Sequence, residues 1–560
     1  MHRSWTALLV AGAILASAHP CADGPARRTP KLVVIVVVDQ MRADYVEKFG
    51  SHWTGGFRRL MGEGAWFRQA AYPYLTTVTC AGHTTIVTGS FPRTHGIVGN
   101  AWWDRAAGKS VNCVSDPDQT LVSYGHPATG GTSTRNMRVP TLADELRVQA
   151  GVAPRIVTLS LKDRTATTMA GRRADVATWF DEAAESFVTS SAFAASPVPF
   201  VARFIAAHPI EAAFGTAWTK MLPETAYLYA DDGLGEKPPA GWTATFPHPF
   251  KGRGGNTPDA AFYQQWDESP LSDAFLGQFA EAAIDEFKLG QGAGTDYLAV
   301  SFSALDIVGH DFGPRSHEIQ DVLARLDVTL GALLAHLDRT VGREHYVLAL
   351  TADHGVSPIP EQEAAAGVDA GRIRAHDLAT RIDQALEPIL GPGTYVAHLT
   401  YNDLYFAPGI FEKLQANPEA MHAALDAARS LPGVARVFRG DELTGVALAD
   451  DPIRRAAQES YFPGRSGDFI VVPRPYFLAT SDATTHASPY GFDQHVPMFL
   501  LGQGIARGQF ETVTSPADIA PTLAFLCGIT LPAADGRVLN EALTAFPAPG
   551  AAAAPPGTKR

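Results

Sequence analysis

Residues 31–38, KLVVIVVV, hold no polar position after Lys31. A strand with one wet face alternates apolar and polar residues, whereas an unbroken β-branched run reads as a strand covered on both faces, the habit of parallel sheets. Runs of the same kind occur at 155–161, 297–302, 346–350 and 496–501, and most deliver a polar group at their C-terminal end. Between them the period changes. Ile319, Val322, Leu326, Leu330, Leu333 and Leu337 fall three and four apart, which predicts a helix over 316–341 with Ser316 as N-cap and Gly342 as its stop. Shorter helices are expected at 140–148 and 516–526, each led by a proline. Strands alternating with helices argue for an α/β sandwich around a mostly parallel sheet.

Two stretches interrupt this alternation. Residues 182–294 are aromatic-rich and irregular and read as a cap-like insertion over the sheet edge, and residues 361–462 read as a small α+β insertion. The Ala/Pro/Gly-rich segment 547–560 reads as a disordered tail. At the other end, His2 and Arg3 precede an apolar run at 7–15 and then Ala16-Ser17-Ala18, the pattern of a signal peptide spanning 1–22. The run is too short to span a bilayer, and no later stretch is a transmembrane anchor, so a periplasmic or secreted protein is expected. The formal net charge of −13 disfavours a nucleic-acid backbone as partner but leaves small anions open. The four cysteines contain no C-x-x-C pair, which argues against a thiolate zinc site, and Cys527, in an apolar run, reads as a buried thiol.

The candidate chemistry gathers around 72–100, a stretch of small polar and apolar residues with few charges. Thr79 falls where an N-cap would precede a helix over 80–88, its hydroxyl at the positive end of the dipole, where anions are favoured. Asp39 follows the first apolar run, Asp306 and His310 stand four apart after another, Asp353-His354 end a third, and His486 lies in a loop. Any one of these has an ordinary reading as a cap, a core hydrogen bond or a surface charge. Three Asp and three His together suit a pair of zinc ions.

The chain resembles the alkaline phosphatase superfamily, in particular secreted bacterial alkaline phosphatases with a threonine nucleophile and a Lys-x-Arg pair. The motifs are VDQMRAD from Val38, TVTCAGHTTIVTG from Thr77, GIVGN ending at Asn100, LKDR from Leu161, LDIVGHDFGP from Leu305, TADHG from Thr351, THASPY from Thr485 and SPADIAPTLA from Ser515. The resemblance covers 31–545 and implies a three-layer sandwich and two zinc ions per chain. Asp306, His310 and His486 would hold one ion; Asp39, Asp353 and His354 the other, with Thr79 as a further ligand. Asn100, Lys162 and Arg164 would bind phosphoryl oxygens. The implied reaction is hydrolysis of small phosphate monoesters through a phosphothreonine on Thr79, with a type I phosphodiesterase or nucleotide pyrophosphatase as the alternative. A sulfatase would need a C-x-P-x-R context that Cys80-Ala81-Gly82-His83 lacks. Ala81 and Ala487 depart from the family pattern, where Pro and Gly are usual. A Cys80–Cys113 disulfide is expected, since both flank the nucleophile region of an exported chain.

Overall fold

The run at the head of the chain becomes β1 (Leu32–Val38), buried along its whole length. The computed structural model describes residues 29–445 and 450–544. The expected signal peptide (1–22) and tail (547–560) lie outside the described residues. The unit Thr29–Leu543 is built in chain order from β1, α1 (Gly56–Glu63), β2 (Ala65–Phe67), α2 (Thr79–Thr88), β3 (Leu121–Ser123), α3 (Leu142–Gln149), β4 (Ile156–Ser160), α4 (Asp163–Ala170), β5 (Val176–Asp181) and β6 (Ser186–Ser190). It continues through α5 (Pro270–Phe287), β7 (Asp296–Phe302), α6 (Ala304–Phe312), α7 (His317–Thr340) and β8 (Tyr346–Thr351). The chain then leaves for a second sheet with β9 (Val396–Thr400), β10 (Asp403–Phe406), α9 (Pro418–Arg429) after α8 (Ala375–Leu390), β11 (Val434–Arg439) and β12 (Phe469–Pro473). It returns with β13 (Met498–Gly502), β14 (Gly508–Phe510) and α10 (Ile519–Cys527).

The ten-stranded sheet runs β14-β2-β13-β8-β1-β7-β4-β5-β6-β3. The five strands from β8 to β5 are parallel, and antiparallel pairings flank them on both sides. Alternate residues of β1 serve two layers. Val34 and Val36 pack with α1, α5, α6 and α7; Val33, Ile35 and Val37 pack with α2, α3, α4 and α10. This is the expected three-layer sandwich. The long helix is α7, and the Ser316 hydroxyl caps it by accepting the Ile319 N–H at 3.2 Å. The two proline-led helices start later than expected, because side-chain caps decide where they begin. Thr141 and Asp144 form a capping box for α3, leaving Pro140 outside it. Ser515 caps a short 3-10 turn at Pro516–Asp518 ahead of α10. Cys527, the last residue of α10, is half-buried rather than buried.

Residues 182–294 leave the sheet less cleanly than their composition suggests. β6 lies in the central sheet, and α5 covers its face, with Phe187 stacked on Phe275. The irregular part between β6 and α5 rests on α7, where Asp321 accepts hydrogen bonds from Trp218 Nε1 (2.7 Å), the Tyr227 hydroxyl and the Met221 N–H. The second sheet, antiparallel in the order β9-β10-β12-β11, extends past residue 462 because β12 is the strand that joins β10 to β11. Its core is separate from that of the sandwich. No helix among the described residues is long and apolar enough to cross a membrane.

Cys80 in α2 and Cys113 form the expected disulfide. It closes a loop with a sequence separation of 33 residues. Replacing both cysteines by Ala should lower unfolding stability by about 2–4 kcal/mol in urea titrations. A loss well under 1 kcal/mol would mean the surrounding contacts hold that loop unaided.

Candidate active site

The in-register pairing of β7, β1 and β8 sends three acidic residues to one edge of the sheet. Asp39 follows β1, Asp306 lies in the first turn of α6 after β7, and Asp353 follows β8. Ligand sites of open α/β sheets lie at this C-terminal edge. All three carboxylates are buried, with His354 and His486 among them. Asp306 Oδ1 is 3.4 Å from His310 Nε2 and 3.8 Å from His486 Nε2. His354 Nε2 is 3.5 Å from Asp39 Oδ1 and 3.3 Å from Asp353 Oδ2.

The imidazoles share one orientation. Nδ1 of His310 faces the Thr484 carbonyl at 2.9 Å, that of His354 the Gly355 carbonyl at 2.9 Å, and that of His486 the Thr77 carbonyl at 2.7 Å. Burial would lower His310, but Asp306 outweighs it and holds that ring above the usual imidazole range. A carbonyl only accepts, so each ring carries a proton on Nδ1 and turns Nε2 towards the carboxylates. That is how second-shell carbonyls prepare histidines for a cation. Burial holds His354 and, further, His486 below the usual imidazole range, and the neighbouring imidazoles add to the effect at His486. Neutral rings of this kind are ligands in waiting.

The carboxylates tell the same story. Asp39 Oδ1 and Asp353 Oδ2 are fully buried and accept no hydrogen bond. Asp353 Oδ2 lies 3.2 Å from His83 Nδ1, but that nitrogen meets the Thr79 carbonyl at 2.9 Å. Burial, followed by the charges of Asp306 and Asp353, pushes Asp39 well above the usual carboxylate range. Burial would raise Asp306 too, but Lys162 and then His310 outweigh it and hold that carboxyl well below the usual range. Buried oxygens without donors, facing imidazole lone pairs, fit a divalent cation of the zinc type. Two groups of donor atoms, each within 4.8 Å of one another, stand ready: Asp39, Asp353 and His354, and Asp306, His354 and His486. His354 belongs to both, yet its single Nε2 lone pair serves one ion. His310, anchored by Thr484 and facing Asp306, is the imidazole available to complete the second group.

Thr79 is the first residue inside α2 and not its cap; Val78 holds the cap position and no side chain caps the helix. The hydroxyl is therefore not spent on a backbone N–H. Its Oγ lies 3.4 Å from His354 Nε2. Asn100 reaches the same turn: its Oδ1 accepts the Cys80 N–H at 2.8 Å, which aims its amide NH₂ elsewhere. Thr79, Asn100, Arg164, Asp306, His310 and His486 open onto one cavity of about 470 Å³. Lys162 does not line it. It holds the N-cap position of α4 without capping it and donates to Asp39 Oδ2 at 2.6 Å and to Asp306 Oδ2, bridging the two cation groups. Arg164 stands in the first turn of α4, so both α2 and α4 begin at the site and add their positive ends to it.

Several contributors escape a reading of the sequence. Gln40 has a left-handed backbone (φ 66°), donates from Nε2 to Asp306 Oδ1 at 2.7 Å and from its N–H to Asp353 Oδ1 at 3.1 Å, and so ties two acids together. His83, one helical turn after Thr79, links the Thr79 carbonyl to the Ser301 hydroxyl at 2.9 Å; its spacing of four was the available signal. Ala487 follows His486 with φ 89°, a conformation suited to Gly, so this departure from the family pattern carries strain.

The profile of the family described as "Type I phosphodiesterase / nucleotide pyrophosphatase" matches residues 33–495. The sequence is 32% identical over 525 residues to alkaline phosphatase PhoV of Synechococcus elongatus, across 92% of this chain and 93% of that protein. It is 31% identical over 540 residues to alkaline phosphatase PafA of Elizabethkingia meningoseptica, across 92% and 94%. The crystal structure of wild-type PafA superposes with a TM-score of 0.84 at 30% identity, over 92% of this chain and 99% of that one.

The seating of α2 depends on Gly82. A Cβ there would lie 2.3 Å from the Asp353 carbonyl oxygen and 2.7 Å from the Asp353 Cβ. Gly82→Ala should therefore push Thr79 away from the acids, costing about 1–3 kcal/mol of stability and most of the turnover. Urea unfolding and steady-state kinetics read the two effects, and a variant as stable and as active as the wild type would contradict this packing.

Proposed function

The chain belongs to the type I phosphodiesterase / nucleotide pyrophosphatase family, within the alkaline phosphatase superfamily, and on that premise we propose that it acts as an exported, zinc-dependent alkaline phosphatase that hydrolyses phosphate monoesters through a phosphothreonine on Thr79. The observation that carries this reading is the meeting of the uncapped Thr79 hydroxyl with Asn100, Arg164 and the buried Asp/His groups at one cavity. Alkaline phosphatase relatives at similar length support it.

Asp39, Asp353 and His354 would hold one zinc ion, with Thr79 beside it, and Asp306, His310 and His486 the other. Two such ions would supply Lewis acidity to the nucleophile and to the oxygens that gain charge. The chain's own residues do the rest. Thr79 Oγ gives up its proton to solvent and attacks phosphorus while the ester bond to the leaving oxygen breaks and that oxygen takes a proton from solvent. Asn100 and Arg164 steady the non-bridging oxygens, Arg164 as a planar fork. Lys162, set between Asp39 and Asp306, offsets the charge of the two carboxylates. Water then displaces Thr79 from phosphorus, restoring the hydroxyl and releasing inorganic phosphate. The second reading, a phosphodiesterase, is favoured by the family description itself; two cations at the phosphoryl group suit a dianionic monoester better.

Zinc-loaded enzyme should turn over an aryl phosphate monoester faster than the matching diester or sulfate ester. Thr79→Ala should abolish monoester turnover and Thr79→Ser should retain much of it. Arg164→Ala should lower monoester kcat/KM by roughly 2–4 kcal/mol, with diester hydrolysis little changed. Equal losses on both substrates would favour the phosphodiesterase.

A further inference from the structure

The cavity that contains Thr79 has a second wall, contributed by the antiparallel subdomain and by the short parallel pair of residues 371–372 and 477–478 beside it. On the sandwich side it is polar. On the other side it is lined by Ile373, Leu399, Phe477 and Leu478, with Tyr401 between the two halves. No residue of this apolar wall has a part in phosphoryl transfer as described above.

Tyr401 is the unusual member. It sits at the tip of the β9–β10 hairpin, where Thr400 pairs with Asp403 across two turn residues. Its backbone is left-handed (φ 49°), a region bulky residues rarely adopt and one that a Gly or Asn would occupy with less strain. The ring is 40% exposed and so gains little from burial in return. Its edge lies over Gly99, 3.5 Å from where a Cβ of that residue would be, and it interacts with Asn100 and Arg164. The next residue fixes the tip: Asn402 Nδ2 donates to the Val471 carbonyl at 3.1 Å, and its Oδ1 accepts from the Thr76 hydroxyl at 3.4 Å. Thr76 precedes Thr79 by three residues, in the extended segment that leads into α2. A strained, half-exposed aromatic pinned at the mouth of a reacting centre is held there against its own preference, which points to contact with a ligand.

Resting on the reading of Thr79 as the reacting centre, we propose that this apolar wall and Tyr401 form the leaving-group site, and that the preferred monoesters carry an aromatic or other apolar leaving group rather than a polyol. The phosphoryl group sits between Thr79, Asn100 and Arg164. The ester oxygen then carries its substituent across the cavity, where the ring of Tyr401 packs against it and Leu399 and Phe477 receive its far side. Aromatic rings offer such a contact at low entropic cost.

Non-hydrolysable phosphonates test this without interference from leaving-group reactivity. Calorimetric titration of zinc-loaded protein with phenylphosphonate and methylphosphonate gives a ratio of Kd values. In the wild type phenylphosphonate should bind about 10-fold tighter or more, a difference of about 1.4 kcal/mol. Tyr401→Gly, which suits the backbone and removes the ring, should bring the ratio close to one, and Tyr401→Phe should keep it. Phe477→Ala, on the opposite part of the wall, should reduce it as well. Equal wild-type affinities, or a ratio unmoved in Tyr401→Gly and Phe477→Ala, overturns the proposal. Binding is read whether or not the protein turns over monoesters, so failure of the phosphatase reading and failure of this one give different results.

Discussion

Three carboxylates share one buried edge of the sheet, and the rest of the structure answers to that. Asp39, Asp306 and Asp353 arrive there because β1, β7 and β8 are adjacent, parallel and in register. Like charges this close cannot all remain ionised in a dry site without positive charge between them. Lys162 bridges two of them, and Gln40 supplies donors to Asp306 and Asp353. Two oxygens still lack donors, and the Nε2 atoms of three imidazoles point at the same space. The fold thus concentrates negative charge and neutral nitrogen at one point, at a cost in stability that cations can repay.

Much of this was legible in the chain. Parallel strands covered on both faces leave apolar runs with no alternation, so β1, β4, β7 and β8 announce themselves, and the acids at their ends follow. Asp306 and His310 share a helix face at a spacing of four, as the sequence implies. What was not legible depends on side-chain hydrogen bonds and long-range packing. A threonine before a helix looks like a cap until the backbone shows that Val78 holds that position. β6 is hidden because an insertion of irregular composition surrounds it. Tyr401 is silent in the sequence, since its importance lies in a hairpin tip carried to the site from a subdomain more than 300 positions beyond Thr79.

That subdomain is more than an appendage. Its core is its own, yet contacts tie it to the Thr79 region, among them Asn402 with Thr76, Tyr401 with Gly99, and Trp103 stacked on His398 at 4.7 Å. The disulfide fixes the same region from the other side by joining the first turn of α2 to Cys113. Helix α2 is held between the sheet edge that carries the acids and a subdomain with its own core, which shapes what surrounds Thr79.

The central claim is that the buried Asp/His cluster is built for two divalent cations. Elemental analysis of the purified chain, loaded with zinc and passed through gel filtration in metal-free buffer, tests it most directly. The account predicts about two zinc ions per chain, falling to about one in His310→Ala/His486→Ala while circular dichroism stays that of the wild type. A folded wild-type chain that retains no zinc after loading would contradict it.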